Sequence, residues 1–232
     1  MVRVQRRAPE QKLPVSTPVV ESPSSQPQRI VTAPQETGDV SVMSARVVNA
    51  DSLSGGQPGI MRIARVEDAN IKIDGRVDEP IWSEIPAFDR MTVTDPDTLE
   101  KPTHKTRTRI LYTDKGLYVA GEMEQPLNTL VERLSSRDEF VNRDDFGISI
   151  DSSGEGLYGN FFNIGLGGSK QDGKIAPERN ITTQWDGPWV GETAVTDDGW
   201  SAEMFIPWSA LSMPEGSQER RIAIAMFRKV TY

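Results

Sequence analysis

Apolar and polar residues alternate through most of the chain after residue 60. Thr106–Tyr112 runs Thr-Arg-Thr-Arg-Ile-Leu-Tyr, breaks at Thr113-Asp114-Lys115-Gly116, and resumes as Leu117–Glu124 with Leu117, Val119, Gly121 and Met123 on one face. Two period-two runs around a Gly-ended loop predict a β-hairpin. Trp189–Val195 and Trp200–Ile206 flank Asp197-Asp198-Gly199 and predict a second. Arg62–Val66, Ile71–Ile73, Phe146–Asp151, Asn160–Leu166 and Arg221–Arg228 read as further strands. Helix signals are short: Asp78–Trp82 opens one turn with an acid first and Pro early, and Pro207–Leu211 another. Many short strands with few helical turns predict an all-β fold, an antiparallel β-sandwich.

The first sixty residues follow a different pattern. Pro9, Pro14, Pro18, Pro23, Pro27, Pro34 and Pro58 are spread among Ser, Gln and Thr, and all sixteen aromatics of the chain lie from Trp82 onward. Such a segment cannot bury enough apolar area to offset the entropy of ordering it. Residues 1–60 are therefore expected to be a disordered tail or linker, and 61–232 the folded domain. Val40–Val48 is a mildly apolar exception, expected to form a short strand or helix.

Charge and composition remove several function classes. The net charge of -8 disfavours nucleic acid, which needs clustered Lys and Arg. With no Cys, there are no disulfides, thiolate metal sites or Cys nucleophiles. The lone His104 lies in Lys101-Pro102-Thr103-His104-Lys105, a polar stretch that reads as surface. Gly168–Lys174 has the spacing of a phosphate loop. However, Ile175 stands where Mg²⁺ binding needs Ser or Thr, so a turn between strands is expected. No run approaches the roughly 20 apolar residues of a transmembrane helix, and no apolar stretch follows the basic start as it would in a secretory signal.

At Ile73-Asp74-Gly75-Arg76-Val77-Asp78-Glu79-Pro80-Ile81-Trp82 the sequence resembles the opening of a family 9 carbohydrate-binding module, I-D-G-x-x-D-E-x-x-W. Three more segments are similar to that family, in its order: the hairpin Arg109–Val119, the acid-flanked strand Arg143–Asp151, and Gly199–Trp208, which matches G-W-x-x-E-x-x-I-P-W. Asn160–Gly165, Gln184–Trp189 and Met226–Arg228 further resemble a subgroup that precedes bacterial outer-membrane β-barrels. The resemblance implies a jelly-roll type of sandwich and a periplasmic, outer-membrane-associated or extracellular setting. It also implies a chain that continues past Tyr232 into a barrel, so that the present chain is a fragment. The partner it implies is an oligo- or polysaccharide.

Aromatic faces that pack on sugar C–H groups, beside planar hydrogen-bonding side chains, are what a saccharide site needs. Trp185 and Trp189 lie in a Gly/Pro/Asp context and are the candidate platforms, with Arg109 and Asp186 as polar partners. Trp82, Trp200 and Trp208 sit in apolar strand and turn patterns and are expected in the core. The resemblance places one clamp Trp of the family at Val141 and a Glu at Gly147, so that clamp is not reproduced. Asp138, Glu139, Asp144, Asp145 and Asp151 cluster around one strand. Asp144, Asp145 and Asp151 are the candidate calcium ligands, against a solvated acidic face paired with Arg137 and Arg143. No other cofactor is expected.

Three function classes follow: a non-catalytic module for saccharide binding in carbohydrate catabolism, a structural domain of a barrel protein, and a glycoside hydrolase by association. For the last, Glu203 and Asp151 would be the carboxylate pair.

Overall fold

The computed structural model describes residues 43–47, 59–213 and 220–231. The expected tail lies outside these, except for Met43–Val47 and the start of the second strand. Eleven strands are formed: β1 Met43–Val47, β2 Gly59–Arg65, β3 Thr106–Tyr112, β4 Gly116–Glu124, β5 Asp145–Asp151, β6 Gly159–Gly165, β7 Lys170–Ala176, β8 Asn180–Thr182, β9 Val190–Thr196, β10 Gly199–Pro207 and β11 Arg220–Lys229. One short helix, α1 Pro80–Glu84, and three 3-10 turns, Trp208–Ala210 among them, complete the described structure. No helix among the described residues is long and apolar enough to cross a membrane.

The strands run in the order β8-β7-β6-β5-β11-β1-β2-β3-β4-β10-β9. They form two facing sheets that share β2. Gly59–Ile63 pairs with β1 in sheet A, and Ala64 and Arg65 pair with Leu111 and Tyr112 of β3 in sheet B. The all-β sandwich is thus the fold. Two pairings depart from the antiparallel expectation: β1 with β11 and β2 with β3 are parallel. The folded unit also begins upstream of residue 61, because Met43–Val47 is inserted between β11 and β2.

Alternation fills the space between the sheets as the pattern predicts. Leu117, Val119 and Met123 of β4 meet Phe146, Ile148 and Ile150 of β5, Phe162 and Ile164 of β6, and Ile222 and Ile224 of β11. Trp200 and Trp189 are buried in the same core, while Trp208 packs against it half-buried and donates its indole N–H to Thr113 O. Trp82 is interior too, but in a second cluster. Trp82 and Ile85 pack with Leu111 and Ala120 on the outer face of sheet B.

Ile71–Ile73 is not a strand. Its Lys72 N–H goes to the Glu79 carboxylate and not to a neighbouring ladder. Conversely, β7 takes up Lys170–Lys174 of the stretch Gly168–Lys174 read as a turn. The turn itself is confined to Leu166–Ser169, where Gly168 takes φ +84°.

Candidate functional site on the outer face of sheet A

Strand alternation sends even-numbered residues of β5 and β6's Phe162 and Ile164 into the core, so the odd-numbered ones face outward. The registers align one outer row as Phe227–Gly147–Asn163–Gln171 and the next as Lys229–Asp145–Gly165. Together with Phe140, Val141 and Asn142, these rows enclose a recess of about 380 Å³.

The recess has a polar floor that is hardly exposed. Asp145, Asn163 and Gln171 are all buried, although they point away from the core. Asn163 Nδ2 donates to Gln171 Oε1 at 2.8 Å, and Gln171 Nε2 donates to Glu139 O at 2.9 Å. Asn163 Oδ1 is buried with no protein donor. Burial pushes the Asp145 carboxyl up to about 6, against the pull of Asn163, Lys229 and Arg143.

Two phenyl rings wall this floor. Phe140 is 73% exposed, although the loop that carries it is firmly tied. Asp138 N donates to Lys170 O, Asp172 N to Asp138 Oδ1, and Ser135 N to Ser169 Oγ. The loop therefore holds an apolar ring in water on a fixed support. Phe227 lies across Gly147: a Cβ there would fall 2.3 Å from Phe227 Cζ and 2.8 Å from Phe162 O. The position where the resembled family has a Glu is thus filled by an aromatic ring, and Val141 lines the recess beside it.

The residues singled out from sequence lie elsewhere. Trp189 is 4% exposed and stacks edge-on against Phe162 in the core, so it offers no face to a ligand. Trp185 is half-buried, also edge-on to Phe162 at 6.1 Å, with the Lys174 ammonium 6.0 Å from its ring. Phe162 and its register partner Asp172 both point inward, which puts Trp185 on the core side of sheet A, away from the recess. Asp186 pairs with Arg137 at 3.3 Å. Arg109 faces out from sheet B, in the row Arg109–Ala120–Glu203, and forms an ion pair with Glu122. Trp185, Trp189 and Asp186 thus share the link from β8 to β9, with Trp189 inside the core, while Arg109 stands apart on the outer face of sheet B.

The expected calcium set does not converge either. Asp144 is fully buried and accepts from Thr231 N, Gln125 Nε2 and Val131 N. Asp145 points to the recess. Asp151 is six residues along the same strand, roughly 20 Å away, and its oxygens hold Ser153 N, Ser153 Oγ and Gly156 N. A different trio, Asp138, Asp172 and Asp186, does bring carboxylate oxygens within 4.8 Å of one another. It does not fit a hard cation. Arg137 already lies on Asp172 and Asp186, and the Asp172 oxygens also accept from Gly187 N.

Glu203 and Asp151 do not form a hydrolytic pair. Glu203 is fully buried in β10. Its Oε1 accepts from Trp82 Nε1 at 2.9 Å, and its Oε2 accepts from Asp74 N and Gly75 N, both at 3.1 Å. It is the tether that holds the Ile73–Trp82 segment to sheet B. Burial raises its carboxyl to about 7, despite those three donors.

Sequence reasoning missed Phe140, Asn163, Gln171, Phe227 and Lys229. The available signal was polar residues at outward positions of strands otherwise rich in Gly. Only the register shows that they share rows.

No family model matches the chain, and no curated protein matches it. Solved structures do. A family 9 carbohydrate-binding module from Caldicellulosiruptor kristjanssonii, in complex with cellotriose, is similar at 15% identity and TM-score 0.46, over 71% of this chain and 82% of that one. A structure from the same organism in complex with glucose is similar at 16% identity and TM-score 0.45, over 66% and 71%. A Bacteroides uniformis protein described provisionally as carbohydrate-binding is similar at 14% identity and TM-score 0.49, over 74% and 77%.

Proposed function

We propose that this domain binds saccharide non-catalytically in the recess on the outer face of sheet A. One observation carries the reading: a fixed, water-exposed Phe140 and a flat-lying Phe227 flank a recess lined by Asp145, Asn163 and Gln171. An aromatic wall suits the C–H face of a pyranose, and a floor of carboxylate and amides suits its hydroxyls. The carboxylates weighed for hydrolysis are occupied in holding the fold, which supports binding without bond cleavage. The setting outside the cytoplasm, a role in carbohydrate catabolism and a following barrel domain go with this reading through the sequence resemblance.

The test is calorimetric titration of the full chain with a glycan panel. Phe140→Ala is expected to weaken binding by about 1–2 kcal/mol, roughly five- to thirtyfold, without lowering stability. Trp185→Ala is expected to leave affinity unchanged. A panel with no binder, or a Phe140→Ala variant that binds as well as the parent, would overturn the reading.

A further inference from the structure

The same face carries a second, smaller recess, about 140 Å³, formed around Ser149, Leu157, Tyr158, Ile175, Ala223 and Ala225. It is an apolar site. The one carboxylate on its wall, Asp151, is already turned to Ser153 and Gly156. Leu157 and Tyr158 stand on its rim, more than half exposed.

The two recesses are neighbours. Ala225 pairs with Ser149 one outer row beyond Phe227 and Gly147, a step of about 7 Å along the strands. The Phe227 ring, laid over Gly147, is the ridge between them. A molecule filling both would thus touch Asp145, Asn163 and Gln171 at one end, cross an aromatic face, and end among Leu, Ile, Ala and Tyr.

A second sugar ring fits the far end poorly. Only the Ser149 and Tyr158 hydroxyls could meet it there, so most of its hydroxyls would lose water without replacement, which costs more than the C–H contact returns. An alkyl or aryl group faces no such penalty. We infer that the outer face of sheet A takes an amphiphilic glycoside, with the sugar in the polar recess and the apolar group on its anomeric oxygen in the second. This rests on the saccharide reading of the polar recess and adds to it the class of ligand.

The experiment is titration of the full chain with methyl β-glucoside and with octyl β-glucoside, the latter kept below its micelle concentration. The octyl compound is expected to bind at least about tenfold tighter, the factor that two buried methylenes supply. In a Leu157→Ser/Tyr158→Ser variant, whose changes lie on the surface, the advantage is expected to shrink severalfold while methyl glucoside affinity stays. Equal affinities for the two glucosides overturn the amphiphile and leave the saccharide reading standing. Octyl binding that survives Phe140→Ala unchanged, with no methyl glucoside binding, shows apolar capture alone and overturns the amphiphile, while the wider glycan panel decides the saccharide reading. If neither glucoside binds, the amphiphile falls, and the wider glycan panel decides the saccharide reading separately.

Discussion

Gly75 and Glu203 show how two short motifs 128 positions apart become one joint. Gly75 takes φ +84°, and a Cβ on it would lie 2.3 Å from Thr193 C. Its N–H donates to Glu203, and its carbonyl accepts from Ser201 Oγ at 2.5 Å. A side chain therefore meets both a disfavoured conformation and a backbone wall. Gly75→Ala is expected to cost at least about 2 kcal/mol, seen as a lower urea midpoint with unchanged slope. Both motifs were visible in the sequence. Their pairing was not, because a carboxylate in a strand looks the same whether it anchors a turn or serves chemistry. Phe140 was illegible for a related reason: exposure of a ring depends on the loop that carries it.

Among the elements, the strands with clean alternation were readable and the polar ones were not. β3, β4, β5, β6, β10 and β11 fall within a residue or two of their expected spans. β7 reads Lys-Gln-Asp-Gly-Lys-Ile-Ala, with no apolar face over most of its length. It forms a strand because Gln171 and Asp172 are each satisfied by the loop before β5 and by their neighbours. Such partners are tertiary, so no local pattern announces them. The link from β8 to β9 places Trp185 and Trp189 on Phe162, and the two indoles differ in depth. Trp189→Ala is expected to cost about 3–5 kcal/mol, and Trp185→Ala clearly less, by denaturant unfolding. In neither case should the saccharide affinity of the folded fraction change.

For the whole molecule, two buried carboxyls set a pH dependence. Burial raises Asp145 to about 6 and Glu203 to about 7. The folded state therefore holds these protons more tightly than the unfolded chain, whose carboxyls titrate near 4. Their contribution is fully present below about pH 4 and lost as pH rises through 6 and 7, levelling off above. Urea midpoints are expected to be higher at pH 5 than at pH 8. Glu203→Gln should flatten that slope while lowering stability overall, since an amide cannot accept from Asp74, Gly75 and Trp82 together. A slope unchanged by Glu203→Gln would count against this assignment. At this scale the sandwich itself was legible, because period two and turn spacing report on layers. The strand that joins the layers was not, because nothing in Gly59–Arg65 marks where it leaves one ladder for the other.

That shared strand gives the sandwich a spine, like the binding of a book. On the β2 side the covers are held by peptide hydrogen bonds. On the opposite side, between β8 and β9, they are held by the indoles that clasp Phe162 and by the Thr193 hydroxyl on Leu166 O. Any breathing of the two halves must then swing about β2 and begin at the clasp. The recess around Asp145, lying flat on one cover, would keep its shape while the book opens.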